Sequence, residues 1–176
     1  MAESSGRGGQ LAAWVTAYIG LGSNLGDRLA FLRQARFALT GQALRVTASS
    51  ALYASEPVGG PVQDDYYNAV VAVTTRLSPL DLLAHCQSVE MLAGRERQQR
   101  WGARTLDLDL LLYADLELAL PQLEVPHPRM HQRRFVLQPL CDLAPQLIYP
   151  RLGRALSELL VELPDTPWVR RLQSQW

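Results

Sequence analysis

The chain has 176 residues, 48% of them hydrophobic and 19% charged, with a formal net charge of zero. That length supports one domain with a real core, and that composition excludes a disordered chain. Neutral balance disfavours a general nucleic-acid binder, and because all 17 basic residues are arginine, a lysine-containing P-loop is excluded.

Residues 1–12 are rich in Gly and Ser and read as a flexible tail ahead of a single domain over 13–176. Trp14 to Leu21 is apolar and β-prone, a first strand. Gly20, Gly22 and Gly26 bracket Ser23 and Asn24, a turn entering a helix over about 27–39 with Leu29, Leu32, Ala35 and Leu39 facing inward. Leu44 to Tyr53 reads as a second strand and Tyr66 to Arg76 as a third, joined by a long Pro- and Gly-containing connection, Ser55 to Asp65. Ser78-Pro79 opens a second helix and Gly94 closes it. An arginine-rich loop runs to Arg104, and Thr105 to Tyr113 is the fourth strand. Leu116 to Leu120 can pair back as a short strand, and Pro121, Pro126 and Pro128 forbid regular structure around them. Arg133 to Leu143 and Ala155 to Leu163 read as C-terminal helices. The order β-α-β-β-α-β is the ferredoxin-like arrangement: an α+β domain with an antiparallel sheet, helices on one face, and C-terminal helices added.

Cys86 and Cys141 sit in apolar, helix-like segments and read as buried thiols, not a disulfide framework. No cleavable apolar core follows the small polar start, and no apolar run is long enough for a bilayer. The cytoplasm is the expected location.

The chemistry concentrates between Arg100 and Leu111. Asp107 and Asp109 alternate with Leu106, Leu108 and Leu110, so on a strand the acids share one face and the leucines the other. Two like charges held that close repel, and a bound cation is the usual remedy. Arg95, Arg97, Arg100 and Arg104 lie just upstream. Carboxylates for a hard metal beside guanidinium forks suit a polyphosphate and its magnesium. A bare D-x-D on a half-exposed strand is common; the arginines and Trp101 beside it shift the balance to a metal–nucleotide site. His127 lies between Pro126 and Pro128, with Arg133 following, a second polar cluster within reach of phosphate. Tyr66 and Asn68 share one strand face, and with Phe135 they offer aromatic surface and an amide to a flat heteroaromatic ring.

At this point the residues match a family. Arg100 to Leu111 resembles the signature of 6-hydroxymethyl-7,8-dihydropterin pyrophosphokinases, enzymes of folate biosynthesis. Tyr18 to Asp27, Tyr53 to Gly59, Asp65 to Ala69, and Val125 to Met130 through Arg133 and Phe135 follow in the family's order, over about residues 16–150. The resemblance implies ATP and two magnesium ions, attack of the pterin's hydroxymethyl oxygen on the β-phosphorus, and release of AMP. It implies that Asp107 and Asp109 ligate both metals and are catalytic together with Arg95, Arg97 and Arg104. It implies ATP contacts from Arg97, Arg100, Arg104, Leu110, His127 and Arg133, and pterin contacts from Ser55, Val58, Tyr66, Asn68, Trp101 and Phe135. Its partners are small molecules, with no nucleic acid and no membrane, and the expected state is a monomer. The chain departs from the family at Ala103, where many members have Pro, at Ser55-Glu56-Pro57, at Glu124, and in an arginine loop one residue shorter than in some members. Two other classes compete: a ferredoxin-like module holding RNA on its sheet, and a catalytically silent nucleotide-binding regulator. Zero net charge and the acidic pair oppose the first, and retention of both acids opposes the second.

Overall fold

The computed structural model describes residues 13–59, 62–94 and 104–176; Arg95, Arg97, Arg100, Trp101 and Ala103 lie outside them. β1 (Val15–Ser23) runs between β4 (Tyr66–Thr75) and β5 (Asp107–Tyr113), antiparallel to both. The six-stranded sheet is completed by β2 (Leu44–Ser49) and β3 (Leu52–Ser55), both on the far side of β4, and by β10 (Val169–Gln173), which pairs with β3.

The alternation of β1 decides the layering. Ala17, Ile19 and Leu21 are buried against Leu32 and Ala35 of α1 (Arg28–Ala38) and Leu82, Cys86 and Val89 of α2 (Pro79–Leu92). Each fully buried aliphatic side chain there contributes about 1.5–3 kcal/mol. Both helices start on the caps their sequences carry: Asp27 accepts from the Ala30 N–H at 3.0 Å and Ser78 from that of Asp81 at 3.2 Å. Gly94, with φ of 73°, closes α2 in the left-handed conformation that glycine adopts without strain.

The two core helices share one face, as expected, and the added C-terminal helices cover the other. Val70, Leu111 and Leu112 present a second apolar patch on the opposite face, and Val136, Leu137 and Leu140 of α3 (Arg134–Leu143) with Leu156 and Leu159 of α4 (Leu156–Glu162) bury against it. A helix with so one-sided an apolar stripe has to find such a partner. The Tyr53 hydroxyl donates to Asp142, whose Oδ2 also accepts the Ala51 N–H at 3.0 Å, so α3 hangs from β3.

The second expected strand is broken in two. Ser50 is buried; its hydroxyl accepts the Val70 N–H and donates to the Ala51 carbonyl, substituting a side chain for regular pairing. Thr105 lies ahead of β5, which begins at Asp107. Only Leu118–Leu120 (β6) of the expected 116–120 strand forms, and it pairs with β7 (Leu123–Val125), so Pro121 occupies a hairpin turn and does not prevent strands on either side. β8 (Ile148–Tyr149), β9 (Arg154–Ala155) and β10 carry too little alternation to have been foreseen.

The C-terminal Trp176 is 6% exposed, donates from Nε1 to the Ser50 carbonyl at 2.8 Å and lies under the Arg36 guanidinium. Replacing it with Ala should cost about 3 kcal/mol, because a large void opens and the indole–carbonyl bond is lost. Urea unfolding of Trp176→Ala checks this, and a loss below about 1 kcal/mol would contradict the packing described. Among the described residues no helix is long and apolar enough to cross a membrane.

Candidate active site

Register builds the site. Gly22 of β1 stands opposite Asn68 of β4 on one side and Asp107 of β5 on the other. One row further, Gly20 stands between Val70 and Asp109. Neighbouring strands lie about 4.8 Å apart, so the Asn68 and Asp107 backbones are roughly 10 Å from each other across a floor with no side chain. A Cβ on Gly22 would sit 3.7 Å from Asn68 Oδ1 and 3.9 Å from Asp107 Cβ, inside the cavity. Leu106, Leu108 and Leu110 are buried on the opposite face, as the alternation requires.

A cavity of about 540 Å³ opens over this floor. Ser55, Val58, Tyr66, Asn68 and Phe135 line it together with Arg104, Asp107, Asp109, His127 and Arg133, with Asn68 and Asp107 on opposite sides of Gly22 and the Arg133 guanidinium 5.6 Å over the Phe135 ring. The structure therefore gathers every described candidate except Leu110. The Leu110 side chain packs in the core beneath the sheet and does not line the cavity. Arg95, Arg97, Arg100 and Trp101 fall outside the described residues.

Asn68 donates from Nδ2 to Ser55 Oγ at 2.9 Å, which fixes the amide and turns its oxygen toward Gly22. Across Gly22 from Asn68 the Arg104 guanidinium pairs with Asp107 Oδ2. Asp109 lies next to Asp107 on the same strand face. Burial, then the neighbouring Asp107 charge, pushes its carboxyl up to about 6, while Arg133 and Arg104 pull it back. Some 42% of its side-chain surface still reaches the open cleft.

His127 is a neutral donor here. Burial, with the Arg133 and Arg129 charges, brings it down to about 4. Its Nδ1 accepts the Arg129 N–H at 3.3 Å, which leaves the ring proton on Nε2, the nitrogen 4.0 Å from Asp109 Oδ2. Its backbone N–H donates to the Leu111 carbonyl at 2.9 Å. Leu111 is the extra residue where the β1–β5 register slips between Tyr18 and Ile19. Arg133 is pressed below its usual range by burial and by Arg129, so this part of the cavity favours an anion.

Sequence reasoning passed over Asn24, Arg129, Gln63 and Arg134. Asn24 is 1% exposed and works as a hub: Oδ1 accepts the Arg104 N–H at 2.7 Å, its own N–H donates to the Arg104 carbonyl at 3.0 Å, and Nδ2 donates to Gln63 Oε1 at 2.9 Å. It looked like one more turn residue; only its place between two glycines hinted otherwise. Arg129 was visible within the Pro-rich segment, but nothing local distinguished it from a solvated charge.

Among the described residues no three His, Cys, Asp or Glu side chains converge to form a closed metal centre. Asp107 and Asp109 can still hold a hard cation: they are oxygen donors on one face, their charges repel, and magnesium takes one or two carboxylates and completes its shell with phosphate oxygens and water.

Residues 18–145 match the family of 7,8-dihydro-6-hydroxymethylpterin-pyrophosphokinase (HPPK). The chain is 47% identical over 148 residues to the 2-amino-4-hydroxy-6-hydroxymethyldihydropteridine pyrophosphokinase of Pseudomonas aeruginosa, covering 84% of this chain and 91% of that one. It is also 47% identical over 133 residues to the enzyme of the same name from Bacillus subtilis, covering 74% and 79%. In fold it is similar to the crystal structure of wild-type HPPK-DHPS from Plasmodium falciparum with pteroate, with a TM-score of 0.68 at 16% identity over 85% of this chain; the chain spans less than half, 42%, of that longer one. The sequence match, running through the strands that carry Asn68, Asp107 and Asp109, shows that this chain belongs to the HPPK family.

Proposed function

We propose that this chain transfers a pyrophosphoryl group from ATP to 6-hydroxymethyl-7,8-dihydropterin, releasing AMP, as a step of folate biosynthesis. The observation that carries this reading is the row Asn68–Gly22–Asp107. It sets a ring-binding amide and a metal-binding carboxylate about two strand spacings apart, with bare backbone between them. A pterin held at Asn68 lays its hydroxymethyl arm over the glycines toward the acidic end.

Each residue then has a task. Tyr66 and Phe135 supply aromatic surface to the ring, and Asn68, fixed by Ser55, meets its polar edge. Arg104, Arg133 and the His127 Nε2–H offer donors to the phosphate chain. The hydroxymethyl oxygen attacks the β-phosphorus, the bond from that phosphorus to the α–β bridging oxygen breaks, the hydroxyl proton is lost, and AMP leaves with the bridging oxygen. Positioning and charge neutralisation provide the acceleration. Asp107 and Asp109 would hold the magnesium, two ions on the family's pattern, which would screen phosphate charge and organise the attacking and leaving oxygens. Arg95, Arg97, Arg100 and Trp101 complete the expected set on the family's pattern. Leu110 keeps an expected role through its backbone alone.

We further infer a ferredoxin-like core, because β2 and β3 act together as one interrupted strand in the order of that arrangement. We also infer a monomer acting on small molecules in the cytoplasm, on the family's pattern. The RNA-binding reading loses support from α3, which roofs part of the sheet face it would need.

The deciding assay incubates the protein with ATP, magnesium and the hydroxymethyl dihydropterin and resolves the nucleotides. AMP in equal amount to pterin pyrophosphate is expected; ADP as the sole nucleotide product rejects the reading, and no turnover favours the silent regulator.

A further inference from the structure

The family match stops at residue 145, yet Pro167, from the segment 163–168 that follows it, lines the cavity. Pro167 lines the cavity together with Ser55, Glu56 and Val58. This segment is exposed and holds two prolines, and left alone it would have little reason to keep one position. Two side chains hold it. Glu56 Oε1 accepts the Trp168 N–H at 2.7 Å. From the other side Arg134 donates from Nε to the Pro164 carbonyl at 2.9 Å and from Nη2 to the Leu163 carbonyl at 2.6 Å, and pairs with Asp165 at 3.1 Å.

The anchoring points are informative. Glu56 follows Ser55, which fixes Asn68; Arg134 precedes Phe135. Immediately beyond the segment, Val169 pairs with Ser55 in the sheet. The two clamps therefore tie the segment to the same backbone that carries the pterin-side residues. Arg134 lines the cavity and is cationic, but its Nε and Nη2 donors are committed to the segment rather than aimed at a phosphate.

We propose that residues 163–168 are a fixed wall that sets affinity for the pterin, with Glu56 and Arg134 as the positioning residues that hold it. The wall keeps water from the ring end, so hydrogen bonds made there by Asn68 and Ser55 face less competition. The proposal rests on the pyrophosphokinase reading and assigns specificity to a part of the chain outside the matched family region.

Steady-state kinetics of Glu56→Ala, Glu56→Gln and Pro167→Ala test it, with thermal melting of each. Glu56→Ala removes the acceptor, and KM for the pterin should rise about fivefold to tenfold while KM for ATP stays within about twofold. Glu56→Gln keeps an oxygen for the Trp168 N–H and should restore the pterin KM. Pro167→Ala trims the wall itself and should move the same constant in the same direction. A folded Glu56→Ala with unchanged pterin KM, or with both KM values raised alike, overturns the proposal. Should Glu56→Ala not fold, Pro167→Ala decides, since it alters the lining residue itself; an unaltered pterin KM there is equally fatal. Absence of AMP from the wild-type protein would instead sink the pyrophosphokinase reading, so the two failures are distinct.

Discussion

Asp109→Asn should lower kcat by roughly a thousandfold or more, a loss of about 4 kcal/mol in transition-state stabilisation, and at the same time make the ligand-free protein more stable. Both effects follow from one arrangement. Asp109 lines the cleft next to Asp107 on the same strand face, and burial and that neighbour raise its carboxyl to about 6. A carboxyl raised in the folded state contributes most below its unfolded value near 4, and the contribution is lost as pH climbs through about 6. At neutral pH the ionised group therefore opposes folding. Because 42% of the side chain still meets solvent, water screens the effect, and the gain from Asn is about 1 kcal/mol. Differential scanning calorimetry without metal should show a higher Tm for Asp109→Asn than for the wild type at pH 7.5, with the gap closing toward pH 4. Magnesium with an ATP analogue should raise the wild-type Tm more than that of the variant. Near-normal turnover would remove Asp109 from the machinery, and a destabilised variant would contradict the electrostatic account.

Gly22→Ala is expected to fold normally and yet lose about tenfold to a hundredfold in kcat/KM. The new methyl meets nothing closer than 3.7 Å, and the backbone there is ordinary strand, so stability should hold within about 0.5 kcal/mol or improve slightly. Its position is the harm: it fills the gap between Asn68 and Asp107 over which the hydroxymethyl arm has to lie. Gly41→Ala is the control, since a Cβ there meets nothing within 4 Å and lies outside the cavity. Equal kinetics for Gly22→Ala and the wild type would show that the substrate does not cross this floor.

How much of this was legible beforehand depended on the range of the interactions involved. The period-two pattern of residues 106–110 placed Asp107 and Asp109 on one face and the leucines on the other, and that is how they lie. Caps at Asp27 and Ser78 announced themselves by residue type. Long-range pairings left no such mark. Nothing near Ser50 predicts that its hydroxyl will interrupt a strand to serve Val70, twenty positions away. Trp176 carries no local sign that it will close over Ser50. Asn24 and Arg134 draw their roles from carbonyls and amides brought to them by the fold. Period two paired Tyr66 with Asn68, and the family resemblance joined them with Phe135 and His127 in one site.

The slipped register at Leu111 has a last consequence. Regular pairing would turn that carbonyl toward a neighbouring strand; the surplus residue lets it receive the His127 N–H instead. The imidazole is thus held by an irregularity in the β-ladder. Excising one leucine from the run at 110–112 would mend the ladder and leave composition nearly unchanged, but would unseat the histidine and shift the strand beyond it by a position. Here a flaw in periodicity is what seats the histidine.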